Sequence, residues 1–211
     1  MTNYVTEFIG TFFLVLTIGL TVMQGSQFAP LAIGASLMVM VYMGGHVSGA
    51  HYNPAVSLAL LMRGRMKASD FVPYVVAQLL GSIVAAWIAF RIMGRSFALA
   101  PAPGTPALAA LAVEFLFTFA LALVVLNVAT SKRTQGNSYY GLAIGFTIVA
   151  AAYAGGSVSG GAFNPAVGTG PTLVHALIGH GSWAHWWLYL VGPFLGGAAA
   201  AAVFGIQESG Q

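Results

Sequence analysis

The sequence predicts an all-α membrane protein of six transmembrane helices plus two re-entrant half-helices, built as an inverted internal repeat. Three observations predict it. Of 211 residues, 58% are hydrophobic and 5% charged, whereas soluble domains are about 25% charged, so the chain cannot cover a water-facing surface. Six apolar segments are long enough to cross the roughly 30 Å of bilayer hydrocarbon. One short motif occurs twice, each time followed by an apolar stretch too short to cross. The +3 net charge comes from seven Lys and Arg, with no basic cluster beyond Arg63, Arg65 and Lys67, and gives no sign of a nucleic-acid partner. The absence of Cys removes disulfide and thiolate chemistry.

The spans fall at about 4–24, 31–49, 72–92, 107–130, 139–157 and 186–206. The first starts almost at Met1 without a basic leader or small-residue cleavage site, so it reads as retained. The repeated motif reads Ser48-Gly49-Ala50-His51-Tyr52-Asn53-Pro54-Ala55 and Ser159-Gly160-Gly161-Ala162-Phe163-Asn164-Pro165-Ala166. Asn is a preferred helix N-cap and Pro is favoured at the first helical position. Half-helices are therefore expected near 53–62 and 164–174. About ten residues span roughly 15 Å, half the apolar core. Irregular backbone at membrane depth is tolerated where it is buried in protein or lines a wet cavity, so residues 46–52 and 157–163 are the expected pore lining. Arg63, Arg65 and Lys67 follow the first half-helix, Lys132 and Arg133 follow the fourth span, and Arg91 and Arg95 lie on the other side. Five basic residues against two place both termini in the cytoplasm.

Residues 1–211 read as one transmembrane domain, with repeat one at about 4–92 and repeat two at about 107–206. The repeat extends beyond the motif: Glu7-Phe8-Ile9-Gly10-Thr11-Phe12 resembles Glu114-Phe115-Leu116-Phe117-Thr118-Phe119, and Leu31-Ala32-Ile33-Gly34 returns as Leu142-Ala143-Ile144-Gly145. An odd number of spans per half inverts the second half in the membrane. Inverted repeats place a shared site near the midplane, where broken helices meet, so Asn53 and Asn164 should face each other there. Gly141-xxx-Gly145, Gly192-xxx-Gly196 and Ala77-xxx-Gly81 are small-residue faces for close helix packing.

Paired SG-xx-NPA boxes, Glu in spans one and four and the Gly192-Pro193-Phe194-Leu195-Gly196-Gly197 run together resemble the aquaporin (major intrinsic protein) family over the whole chain. That resemblance implies the aquaporin fold and a passive channel for water and small neutral solutes, urea, ammonia or glycerol among them, that excludes ions and protons. It implies a homotetramer in a lipid bilayer, such as the cell membrane, and no cofactor. Asn53 and Asn164 would offer amide donors to the lumen at the pore midplane. Carbonyls of Gly49, Ala50, His51, Gly160, Ala162 and Phe163 would line the pore, and Glu7 and Glu114 would support the re-entrant loops. The outer constriction would comprise Ile33, Ala152, Gly161 and Val167.

This last set departs from the family pattern. Val167 stands where an arginine usually follows the second NPA, so the constriction is expected to be apolar and wide. It most resembles the plant vacuolar-membrane class. Gly168, at the position of the Asp usual in glycerol-type members, and the short chain argue against a typical glycerol facilitator. His46, His51, His175, His180 and His185 show no zinc spacing, and no nucleophile–base pair supports an enzyme. Two other readings stay open: a secondary transporter, which also uses inverted repeats and broken helices, and a structural membrane protein with a closed pore.

Overall fold

The computed structural model describes residues 1–178 and 181–209, so His180 lies outside the described residues. The described chain forms eight α-helices: α1 Thr2–Met23, α2 Ala29–Ser48, α3 Pro54–Met62, α4 Ala68–Met93, α5 Ala107–Thr130, α6 Tyr140–Ser159, α7 Pro165–Leu177 and α8 Leu188–Ser209. A single 3-10 turn at Lys132–Thr134 joins α5 to α6. Six of the helices are long and apolar enough to cross a membrane; α3 and α7, with 9 and 13 residues, are the half-helices. The expected spans hold, with two differences. Helix α4 starts at Ala68, ahead of the apolar run, because Asp70 in the first turn suits a helix N-terminus. Helix α7 continues past 174 to Leu177, beyond an internal Pro171.

The two halves are assembled alike. Helix α1 packs on α2 and α4, and α5 packs on α6 and α8. The halves then exchange partners: α2 lies on α6, α3 on α8 and α4 on α7. Each half-helix is thus held against the last span of the opposite repeat.

Small residues make these contacts possible. A Cβ added at Gly34 would stand 2.5 Å from the Gly145 carbonyl, and one at Gly145 would stand 2.5 Å from the Gly34 carbonyl, so α2 and α6 cross backbone to backbone. At Gly196 a Cβ would meet the Phe115 carbonyl at 2.5 Å and the Phe119 nitrogen at 2.8 Å. At Gly81 it would strike the Phe8 carbonyl. The small-residue faces read from the sequence are therefore packing surfaces. Large apolar side chains such as Leu80, Leu116, Leu142 and Leu195 lie exposed on the outside, where lipid replaces water.

Candidate functional site

The site is built from two matching turns. Helix α2 ends in left-handed Gly49 (φ 85°) and α6 in left-handed Gly160 (φ 92°), the usual glycine stop. The chain then takes further positive φ values at Ala50 and Tyr52 in one turn and at Gly161 and Phe163 in the other. For residues with a Cβ this conformation costs about 1–2 kcal/mol each, so something must hold the turns.

The two buried glutamates do so. Glu7 Oε1 accepts from Ser48 Oγ (2.7 Å) and the His51 amide (2.9 Å), and Oε2 accepts from the Tyr52 amide (2.7 Å) and Gln78 Nε2 (2.8 Å). Glu114 Oε1 accepts from Ser159 Oγ (2.7 Å) and the Ala162 amide (2.9 Å), and Oε2 from the Phe163 amide (2.6 Å). Both glutamates are fully buried. A tyrosine completes each bracket: Tyr74 donates to the Ser48 carbonyl at 2.8 Å and Tyr189 to the Ser159 carbonyl at 2.6 Å.

Each turn delivers its asparagine as a cap. The Ala55 amide donates to Asn53 Oδ1 at 2.8 Å, and the Ala166 amide to Asn164 Oδ1 at 2.9 Å. The two asparagines also clasp the opposite turn. Asn53 Nδ2 donates to the Phe163 carbonyl and Asn164 Nδ2 to the Tyr52 carbonyl, both at 2.9 Å. This refines the expectation that both amides and the Phe163 carbonyl serve the lumen. One N–H of each amide ties the half-helix tips together, because a buried carbonyl at a strained turn needs a donor. The second N–H of each amide has no protein partner among the described residues.

A cavity of about 350 Å³ runs beside the tips. Ile33, Ala152, Gly161 and Val167 all line it, together with Ala50, His51, Gly160, Ala162, Phe163 and both asparagines. Gly49 instead lines a second cavity of about 980 Å³, at the end bearing Arg65, Lys67 and Lys132. His51, Val125 and Ile144 line both cavities and stand between them. Of the five basic residues that the sequence placed on one side, Arg65, Lys67 and Lys132 line the second cavity, and Arg63 and Arg133 do not; Arg65 also donates to the Thr130 carbonyl at 2.9 Å. Sequence reasoning missed three contributors. The segment Phe97-Ala98-Leu99-Ala100 folds into the first cavity, pinned where the Ala102 amide donates to the Val158 carbonyl at 3.1 Å. The Tyr74 and Tyr189 brackets and the Tyr52 carbonyl were also unread, though Tyr52 and Phe163 occupy the same place in the two motifs.

Two half-helices meeting tip to tip beside a lined cavity define a channel of the broken-helix, inverted-repeat kind. The family model described as major intrinsic protein matches residues 1–204, and the chain belongs to that family of transmembrane channels for water and small neutral solutes. It is 37% identical over 212 residues to Nodulin-26 of Glycine max, covering 96% of this chain and 76% of that protein. It is 35% identical over 210 residues to Glycerol uptake facilitator protein-like 6 of Lactiplantibacillus plantarum, covering 95% of each. In fold it matches the X-ray structure of the aquaglyceroporin from Plasmodium falciparum with a TM-score of 0.86 at 23% identity, over 96% of this chain and 94% of that one.

Proposed function

We propose that the channel is wide at its outer constriction and passes water together with at least one small neutral solute such as urea, ammonia or glycerol, while excluding ions and protons. The observation that carries this is Val167, buried on the wall of the cavity with Ile33, Ala152 and Gly161. None of these side chains donates or accepts a hydrogen bond. An arginine there would fill space and offer five donors; valine does neither. Ion exclusion rests on charge. Each half-helix N-terminus carries about half a positive charge, and the two abut at Asn53 and Asn164, so a cation reaching the tips meets both.

Glu7 and Glu114 are occupied by seven bonds to the turns and their supports. That supports a positioning role, and it weighs against using either as the coupling site of a transporter or as a catalytic group. The gathering of Arg65, Lys67 and Lys132 at one mouth supports cytoplasmic termini by the positive-inside rule. We assign a homotetramer in the cell membrane as the working state. Stopped-flow measurements of a solute panel on proteoliposomes test the constriction. Val167→Arg is expected to narrow the range of solutes while water flux survives; an unchanged solute profile would refute the role of Val167.

A further inference from the structure

The chain has four acidic side chains, Glu7, Asp70, Glu114 and Glu208, and three of them are engaged away from the second cavity. Glu7 and Glu114 hold the two turns from fully buried positions. Glu208 pairs with Arg63, the one ion pair among the described residues. Arg65, Lys67 and Lys132 are left to line the cavity of about 980 Å³ without a carboxylate partner. Asp70 lines the same cavity and accepts from the Tyr4 hydroxyl at 3.3 Å. Three positive side chains against one negative leave a formal charge of +2 there, with histidine counted as neutral. A concave wall of one sign focuses the field and draws in a counter-ion. The cations come from two segments. Arg65 and Lys67 belong to the connection between α3 and α4, and Lys132 to the 3-10 turn after α5. Arg65 joins them: its bond to the Thr130 carbonyl at 2.9 Å reaches the residue two places ahead of Lys132. That bond orients the guanidinium and uses one of its five N–H groups. The Lys67 and Lys132 side chains make no hydrogen bond or ion pair among the described residues.

We propose that Arg65, Lys67 and Lys132 form a binding site for a phosphomonoester group, and that its occupant obstructs the pore at this mouth. A phosphomonoester carries about −1.5 to −2 charge at pH 7 and three strong acceptor oxygens. That charge balances the +2 of the cavity. The free part of the Arg65 fork suits two of the oxygens, and the two ammonium groups act as point charges. Chloride or a carboxylate brings only one charge. His51, Val125 and Ile144 line both cavities, so a solute crossing between them passes through the space beside these cations. The binding stands on the cations alone; the obstruction rests on the channel reading and deepens it, as regulation of the same pore. A soluble ester and a lipid headgroup offer the same chemistry.

Two measurements test it. The first is titration calorimetry of the full chain in phosphatidylcholine nanodiscs at low salt, with glycerol 1-phosphate as the probe. Saturable binding is expected. Lys67→Gln and Lys132→Gln should each weaken it about fivefold, the upper end for one exposed charge pair, and Arg91→Gln, at the far end of α4, should leave it unchanged. No saturable binding, equal affinity in wild type and both lysine variants, or chloride binding as tightly as the ester would overturn the proposal. Nanodiscs containing phosphatidic acid, compared with equal phosphatidylglycerol, whose diester brings surface charge without a monoester, distinguish the two sources. A lower apparent affinity for the soluble probe beside phosphatidic acid supports the headgroup as occupant, and an unchanged one supports the soluble ester. The second measurement is urea permeability of phosphatidylcholine vesicles with saturating ester on both sides. The ester should lower wild-type flux and leave that of the doubly substituted Lys67→Gln, Lys132→Gln protein unaltered; the same response in both would overturn the obstruction. Wild-type vesicles no leakier than bare lipid would instead overturn the channel reading, while the calorimetry still reports on the site.

Discussion

Replacing Glu114 by Ala should loosen the second turn more than any surface change. Three donors aim at this carboxyl group: the Ser159 hydroxyl and the Ala162 and Phe163 amides. Each buried donor left unpaired costs about 1–3 kcal/mol, or about 3–9 kcal/mol together. Gly160, Ala162 and Phe163 border a cavity of about 350 Å³, room enough for water to reach the freed donors, so the lower end, about 3 kcal/mol, is the expected loss. For a chain of this length that corresponds to about 6–12 °C in Tm. Thermal unfolding in detergent, followed by loss of the folded peak on size exclusion, measures it. Glu114→Gln keeps one acceptor oxygen and should fall between. Glu7→Ala removes an acceptor for four donors and should lose about 1 kcal/mol more than Glu114→Ala. A Glu114→Ala protein unfolding within 2 °C of wild type, on the order of 1 kcal/mol or less, would refute the bracket argument.

Other outcomes follow from packing and exposure. Gly196→Val should push α8 off α5, because its Cβ would meet the Phe115 carbonyl at 2.5 Å and backbone cannot yield as a side chain does. Overpacking of this kind costs about 1–3 kcal/mol or more, whereas Gly205→Ala, with open space around it, should leave Tm unchanged; equal Tm values for the two would contradict the close-crossing account. Arg63 pairs with Glu208 and lies 4.9 Å from the Phe204 ring centroid, with both charged side chains partly exposed. Arg63→Ala should therefore cost less than about 2 kcal/mol and leave water permeability unaltered; a collapse of flux would show that this contact does more than tie α3 to α8.

How much was legible follows from which forces are local. Asn53-Pro54 and Asn164-Pro165 announce helix starts through capping and proline geometry alone, and α3 and α7 begin there. The six spans were readable because lipid requires long apolar runs, and the start of α4 was misplaced because Ala68-Ser69-Asp70 is helical without being apolar. The pairing of each asparagine with the other turn's carbonyl joins residues 110 and 112 positions apart, and no local rule carries that distance. The inward fold of Phe97–Ala100 was hidden for a related reason. Its lining role depends on a bond from Ala102 to Val158, not on any pattern of its own.

Because the chain has no cysteine, a single engineered thiol can report on the passage itself. Ala152 lines the cavity beside Val167, so Ala152→Cys proteoliposomes should swell rapidly in an osmotic jump. A mercurial should stop that swelling, a reducing thiol should restore it, and the wild type should ignore both reagents. Swelling that persists after the thiol is shown to be modified would mean that solvent does not travel beside the two half-helix tips.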